Sequence, residues 1–85
     1  MKTAAEPIGF PERLTKLRTK RQMTQKEVAE QASIHLTDMG QDGICAMSIS
    51  TYERGISLPR GDVLIALAQV FSVPARWLLT GWVNR

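Results

Sequence analysis

Thr24-Gln25-Lys26-Glu27-Val28-Ala29 reads as the start of a helix. The threonine hydroxyl can accept the amide three residues on, and Glu27 can reach back to the threonine amide. This capping box satisfies two donors that a helix start otherwise leaves bare. Val28, Ala29 and Ala32 then form an inner face, which predicts a helix over Gln25–Ala32. Upstream, Pro11 suits a first helical turn, where its missing N–H costs nothing. Phe10, Leu14 and Leu17 recur at helical spacing, so a helix is predicted over Pro11–Lys20, with Arg13, Lys16, Arg18, Lys20 and Arg21 on its other face. Downstream, a third helix is predicted over Cys45–Glu53, with Ile49 and Tyr52 buried and Gly55 as its stop. A fourth follows over Gly61–Phe71, carrying Val63, Leu64, Leu67, Ala68 and Phe71. A fifth runs over Pro74–Thr80, with Trp77 and Leu78 inward and Gly81 at its end. No segment shows a period-two strand pattern with hairpin signals. The expected fold class is therefore all-α, five short helices around one core.

The stretch 33–44 reads two ways. Val28, Ala32, Leu36 and Met39 fit a prolonged second helix, while Gly40 and Asp42-Gly43 are turn signals. The turn signals favour an irregular excursion.

The 85 residues allow one domain. Lys+Arg number 11 against 8 Asp+Glu, a net charge of +3 that does not by itself announce nucleic acid. One cysteine and one histidine exclude an intramolecular disulfide, a cysteine-based zinc cluster and a paired-histidine site. No apolar run reaches the roughly 18–20 residues of a membrane helix, and Met1 to Pro7 has no apolar signal region. A membrane partner, a cofactor and a small-molecule substrate are therefore not expected. Residues 1–9 read as a flexible arm, 10–81 as the domain and 82–85 as a tail.

Three segments together resemble a known family. The first is Arg13-Leu14-Thr15-Lys16-Leu17-Arg18 followed by Met23-Thr24-Gln25-Lys26-Glu27-Val28-Ala29. The second is Ile49-Ser50-Thr51-Tyr52-Glu53-Arg54-Gly55. The third is Leu58-Pro59, Leu64, Leu67-Ala68 and Trp77-Leu78-Leu79-Thr80-Gly81. In this order they are similar to the Cro/C1-type, lambda-repressor-like helix-turn-helix domains, over about Phe10 to Gly81. The resemblance implies a lambda-repressor-like DNA-binding fold. Its third helix enters the major groove of double-stranded DNA while the preceding one crosses the backbone. It places Thr24 and Gln25 at a phosphate, and Ala46, Met47, Ser48, Ser50 and Thr51 on or beside the base-reading face. It puts Arg54, Ser57 and Arg60 in the loop beyond. It also implies a homodimer on a palindromic operator, with recognition helices about 34 Å apart. The chain departs from the family in two places. The interval from Thr24 to Tyr52 is longer than usual, so an insertion lies between helices two and three. Either Ser33-Ile34 or Gly43-Ile44 could take the usual Gly-hydrophobic turn position, and Gly43-Ile44 sits directly before the third helix. In addition, Cys45 stands where a Ser or Thr cap is expected, and the reading face lacks Gln and Arg pairs, so bidentate base contacts are largely missing.

Each feature also has a plainer reading. The basic residues of helix one can be a solvated face. Arg54 can cap helix three, Met47 can meet a partner protein, and His35 reads as a loop residue. Cys45 reads as a small buried residue, with a reactive thiol as the alternative at a helix start. Trp82 is either core overhang or a dimer contact. The leading expectation is a sequence-specific transcriptional regulator, a repressor of phage or prophage type acting in the cytoplasm of a bacterial or phage-infected cell. The alternative is a protein-interaction module, such as an antitoxin of the same fold. An enzyme is not expected, since no catalytic constellation is visible. The end at Asn84-Arg85 fits either a complete small protein or part of a longer repressor.

Overall fold

The computed structural model describes residues 9–82; of the arm expected at 1–9 and the tail expected at 82–85, residues 1–8 and 83–85 lie outside them. The chain runs α1 (Phe10–Lys20), α2 (Gln25–Asp38), α3 (Ala46–Glu53), α4 (Gly61–Phe71) and α5 (Ala75–Thr80). There is no strand among the described residues. α2 lies against α3 and α4, α4 against α5, and α1 closes the group by packing on α3 and α5. Every helix contributes to one core: Phe10 and Leu14, then Val28, Ala29, Ala32 and Leu36, then Ile49, then Val63, Ala66, Leu67, Ala68 and Phe71, and finally Leu78. Burying one such leucine or phenylalanine side chain contributes about 1.5–3 kcal/mol. Leu64 and Trp77, expected in the core, are half-buried at its edge.

The second helix is the main correction. It does not stop at Ala32 but continues to Asp38, so residues 33–38 belong to it. At 1.5 Å per residue it is about 21 Å long. Leu36, one helical turn beyond Ala32, is fully buried and holds the extra turns on the core. Burial of that one side chain outweighs the turn signals, which act only from Gly40. The inserted residues are thus helix first, then a non-helical return over 41–45. Ser33 of α2 pins that return. Its hydroxyl accepts from the Ile44 amide at 3.0 Å and donates to the Ile44 carbonyl at 3.1 Å. Gly43 is needed there for space, because a Cβ would lie 2.7 Å from the Ser33 Oγ. Ile44 packs against the core just before α3. Of the two candidate turn positions, Gly43-Ile44 is the one that precedes α3, while Ser33-Ile34 lies inside α2.

Four helices end in the same hydrogen-bond pattern, a left-handed residue followed by a backward amide bond. After α2, the Gln41 amide donates to the Leu36 carbonyl at 2.8 Å, around Gly40 with φ +77°. After α3, Ile56 donates to Thr51 at 3.1 Å around Gly55. The ends of α1 and α4 turn instead on Gln22 (φ 58°) and Ser72 (φ 56°), where the side chain strains the backbone.

Helix one also corrects the sequence reading. Arg13 and Arg18 do not lie on a solvated face, and Arg21, though exposed, is tied down by the end of α4. Arg18 and Arg21 follow Leu14 by four and seven residues, which puts them on the same stripe. Arg13 is buried, and its guanidinium donates to the carbonyls of Leu78 at 2.9 Å and Leu79 at 2.7 Å, with the Trp77 ring 6.0 Å away. Arg21 donates to the carbonyls of Val70 at 3.2 Å and Phe71 at 2.9 Å. Each places a positive charge at the C-terminal carbonyls of α5 or α4, where the helix dipole favours it. Lys16, Lys20 and Arg21 remain exposed, and Arg21 differs from the two lysines in being spent on helix-end carbonyls.

Candidate DNA interface

α3 is eight residues long and starts from Cys45 in an extended conformation. Its fully buried residue, Ile49, defines the inward side, and Tyr52 packs beside it. Burial also pushes the Tyr52 phenol pKa up. At about 100° per residue, Met47, Thr51 and Arg54 point away from Ile49, flanked by Ser50 on one side and Ser48 on the other. Ala46 turns toward the core shoulder. Met47 is 70% exposed and is the most prominent group on this face. The Thr51 hydroxyl donates to the Met47 carbonyl at 2.9 Å, so its oxygen is left to accept. Arg54 is the C-cap residue, and its Nε donates weakly to the Ser50 carbonyl at 3.4 Å. Arg60, at the N-cap of α4, lies 3.4 Å from Asp62 with most of its side chain in solvent.

The α2 start is built as its residue types require. Thr24 is the N-cap; its hydroxyl accepts from the Glu27 amide at 3.0 Å, and the Glu27 carboxylate accepts from the Thr24 amide at 2.8 Å. Gln25 is the first residue of the helix, where amides and dipole favour an anion. Its carboxamide nitrogen donates to Glu53 Oε1 at 3.1 Å, so the side chain is aimed by α3.

Glu53 joins three helices. Arg18 of α1 donates to it through Nε at 2.6 Å and through Nη2 at 3.1 Å, and spends Nη1 on the Met23 carbonyl at 3.0 Å. The pair is largely buried, with side-chain exposures of 18% and 7%. The hydrogen bond to Glu53 raises the Arg18 pKa from its ordinary value. A bidentate arginine–carboxylate fork fixes orientation as well as distance. It therefore fixes the last turn of α3 against α1, while Gln25 ties the same carboxylate to the start of α2. Sequence reasoning missed Arg18 and Glu53. The available signal was the position of Arg18 on the apolar stripe, which a buried partner must compensate.

Cys45 is exposed, against the expectation of burial. It precedes the first turn of α3, so its side chain points to solvent. Hydrogen bonds from the backbone at Ser48 and Met47, with a smaller one from the Ser48 hydroxyl, lower its thiol pKa from the ordinary value. His35 lies inside α2 instead of in a loop. Trp82 is 73% exposed, which excludes core overhang. Among the described residues no group of His, Cys, Asp or Glu could hold a metal ion, and no helix is long and apolar enough to cross a membrane.

The structure thus brings Met47, Ser48, Ser50, Thr51 and Arg54 onto the outward side of one helix, and sets Thr24 and Gln25 at the start of the helix packed against it. Ala46 is set apart toward the core, and Arg60 stands at the start of α4. No curated protein matches the chain in sequence. Among solved structures, the P22 c2 repressor protein, in complex with the synthetic operator 9T in the presence of Tl+, superposes with a TM-score of 0.71 at 24% identity. The match covers 88% of this chain and 98% of that one, and at this identity the likeness is one of fold. The sequence itself matches the family described as helix-turn-helix domain over residues 12–82. The chain therefore belongs to the helix-turn-helix domain family, whose architecture serves DNA-binding transcription regulators.

Proposed function

We propose that the chain is a sequence-specific transcription regulator that binds a palindromic operator as a homodimer and represses by occupancy, in the manner of a phage-type repressor acting in the cytoplasm. One observation carries this reading. α3 presents an outward side of Met47, Ser50, Thr51 and Arg54 while Glu53, on its inner flank, locks it to α1 and α2. A rigid helix with a protruding small-residue side suits entry into a major groove. Met47 and Ala46 would meet thymine methyls, and Ser48, Ser50 and Thr51 base edges or phosphates. Thr24 and Gln25 would hold one phosphate at the α2 start, and Arg54 and Arg60 others beyond α3. The exposed Trp82 and Leu79, at the end of α5, supply apolar surface for the dimer.

Selection from a randomised duplex library tests the reading. A palindromic winner is the expected result, and no enriched sequence would refute it. On the winner, Thr51→Ala and Met47→Ala should change base preference at one or two positions without loss of fold. Equal weakening on all sequences would confine these residues to the backbone.

A second reading has its own observation. From Glu27 to Glu53 there is no lysine or arginine, so the helix-turn-helix itself carries no cation inside those limits. This favours a protein-interaction module, such as an antitoxin of the same fold. A tight stoichiometric protein partner together with a flat duplex library would decide for it.

A further inference from the structure

Two surfaces of the molecule lie outside the candidate DNA interface, and they carry opposite charge. The first is the outer face of the lengthened α2. Glu30, Ile34 and Asp38 succeed each other at four-residue steps and so line one face, on the side opposite Val28, Ala32 and Leu36. Ile34 is 58% exposed, and Glu30 and Asp38 carry no ion pair among the described residues. An acidic face with an apolar centre is repelled by phosphate and has no fold partner. The second surface is a groove between α1 and α5 of about 570 Å³. Leu17 and Trp77 line it with apolar surface, and Lys16 and Lys20 stand on it one helical turn apart. Both lysines are exposed.

We propose that the α1–α5 groove of one molecule receives the α2 outer face of a second copy of this chain. Ile34 enters against Leu17 and Trp77, and Glu30 and Asp38 meet Lys16 and Lys20. Glu30 and Asp38 stand two helical turns apart, about 12 Å, and Lys16 and Lys20 one turn, about 6 Å, so the long lysine stems splay outward to reach both acids. The occupant follows from charge: the groove is basic, and among the described residues the outer face of α2 offers an exposed apolar side chain between two acids. The contact joins different surfaces of the two partners, so it is head-to-tail. It leaves a free groove and a free α2 face at the ends of every assembly, and it can continue. It is distinct from a two-fold dimer at the end of α5, and on DNA it would couple neighbouring bound molecules.

Sedimentation velocity of the full chain against concentration tests this. At ionic strength on the order of 0.01 M, where the Debye length is about 30 Å, the weight-average mass should rise well past that of a dimer; near 1 M, with a Debye length of about 3 Å, it should fall back to the dimer or below. Glu30→Lys with Asp38→Lys should abolish the growth, and so should Lys16→Glu with Lys20→Glu. Mixing the two double variants should restore it, since each then offers the charge the other lacks. Thermal melts establish that both variants are folded, and Ile34→Ser supplies a third disruption that leaves charge untouched. Growth that is absent in the parent at low salt overturns the proposal. Growth lost on changing the lysines but kept on changing the acids also overturns it, by placing some other acidic surface in the groove. Failure of operator binding bears only on the regulator reading, because assembly is measured without DNA.

Discussion

Removing Glu53 should do more damage than removing an ordinary surface acid. Its carboxylate takes two hydrogen bonds from Arg18 and one from Gln25, and 7% of its side chain meets solvent. Replacing one member of a buried ion pair costs about 3–5 kcal/mol, because the partner charge is left uncompensated. Arg18 keeps one bond to the Met23 carbonyl and 18% of its exposure, so part of that penalty is relieved by water. We expect Glu53→Ala to cost about 2–4 kcal/mol in urea unfolding. Arg18→Met should cost less, about 1–3 kcal/mol, because Glu53 retains Gln25 as a donor and the methionine fills part of the space. The double variant should be more stable than the sum of the singles predicts, since it leaves neither charge buried alone. A coupling energy of about 1.5 kcal/mol or more supports the pair as the lock of α3 on α1. Singles that each cost under about 0.5 kcal/mol, in the range of an exposed pair, would refute the reasoning.

Other outcomes follow from equally local features. Gly81 has φ +82°, and an added Cβ would lie 2.9 Å from the Arg13 guanidinium, so Gly81→Ala should lower stability by about 1–3 kcal/mol, read by thermal melting. Ser72→Gly relieves a left-handed serine and should raise stability by about 0.5–1 kcal/mol; a loss would mean the serine is not strained. Leu67→Ala empties a fully buried site in α4 and should cost about 2–5 kcal/mol, while a silent result would contradict its place in the core. The lowered pKa of Cys45 gives more thiolate near neutral pH than an ordinary thiol has, so alkylation should run faster than on a free cysteine and keep its rate to lower pH. Operator DNA should protect Cys45 from alkylation if α3 enters the groove, and unchanged rates with saturating duplex would place α3 elsewhere. With Arg54 and Arg60 as the phosphate-facing cations of each protomer, the log–log salt slope for a dimer should be about −4, at about −0.9 per phosphate.

The helix boundaries that local chemistry controls were legible. Thr24 with Glu27 marks the start of α2, and Gly55 and Gly81 mark the ends of α3 and α5, because a cap or a positive φ is satisfied within a few residues. The fourth helix, Gly61–Phe71, was expected with the bounds it has, since its apolar stripe is long and regular. The outward side of α3 was also legible, because helical spacing alone sets Met47 and Thr51 opposite Ile49. The length of α2 was not. Residues 33–38 satisfy both a helix and a turn locally, and only the burial of Leu36 against the rest of the core selects the helix.

The same division holds for the charges. A list of eleven cations says nothing of which of them can meet a phosphate. Arg13, Arg18 and Arg21 are committed to α5, α3 and α4, at sites separated from them in sequence by 35 to 66 residues. The residues alone determine an all-α chain with a capped second helix and a small-residue third one, because caps, stops and periodicity act over single turns. Packing decides which helix is prolonged, where Gln25 points, and that Cys45 is exposed while Arg13 is buried, because those depend on groups brought together only once the core has closed.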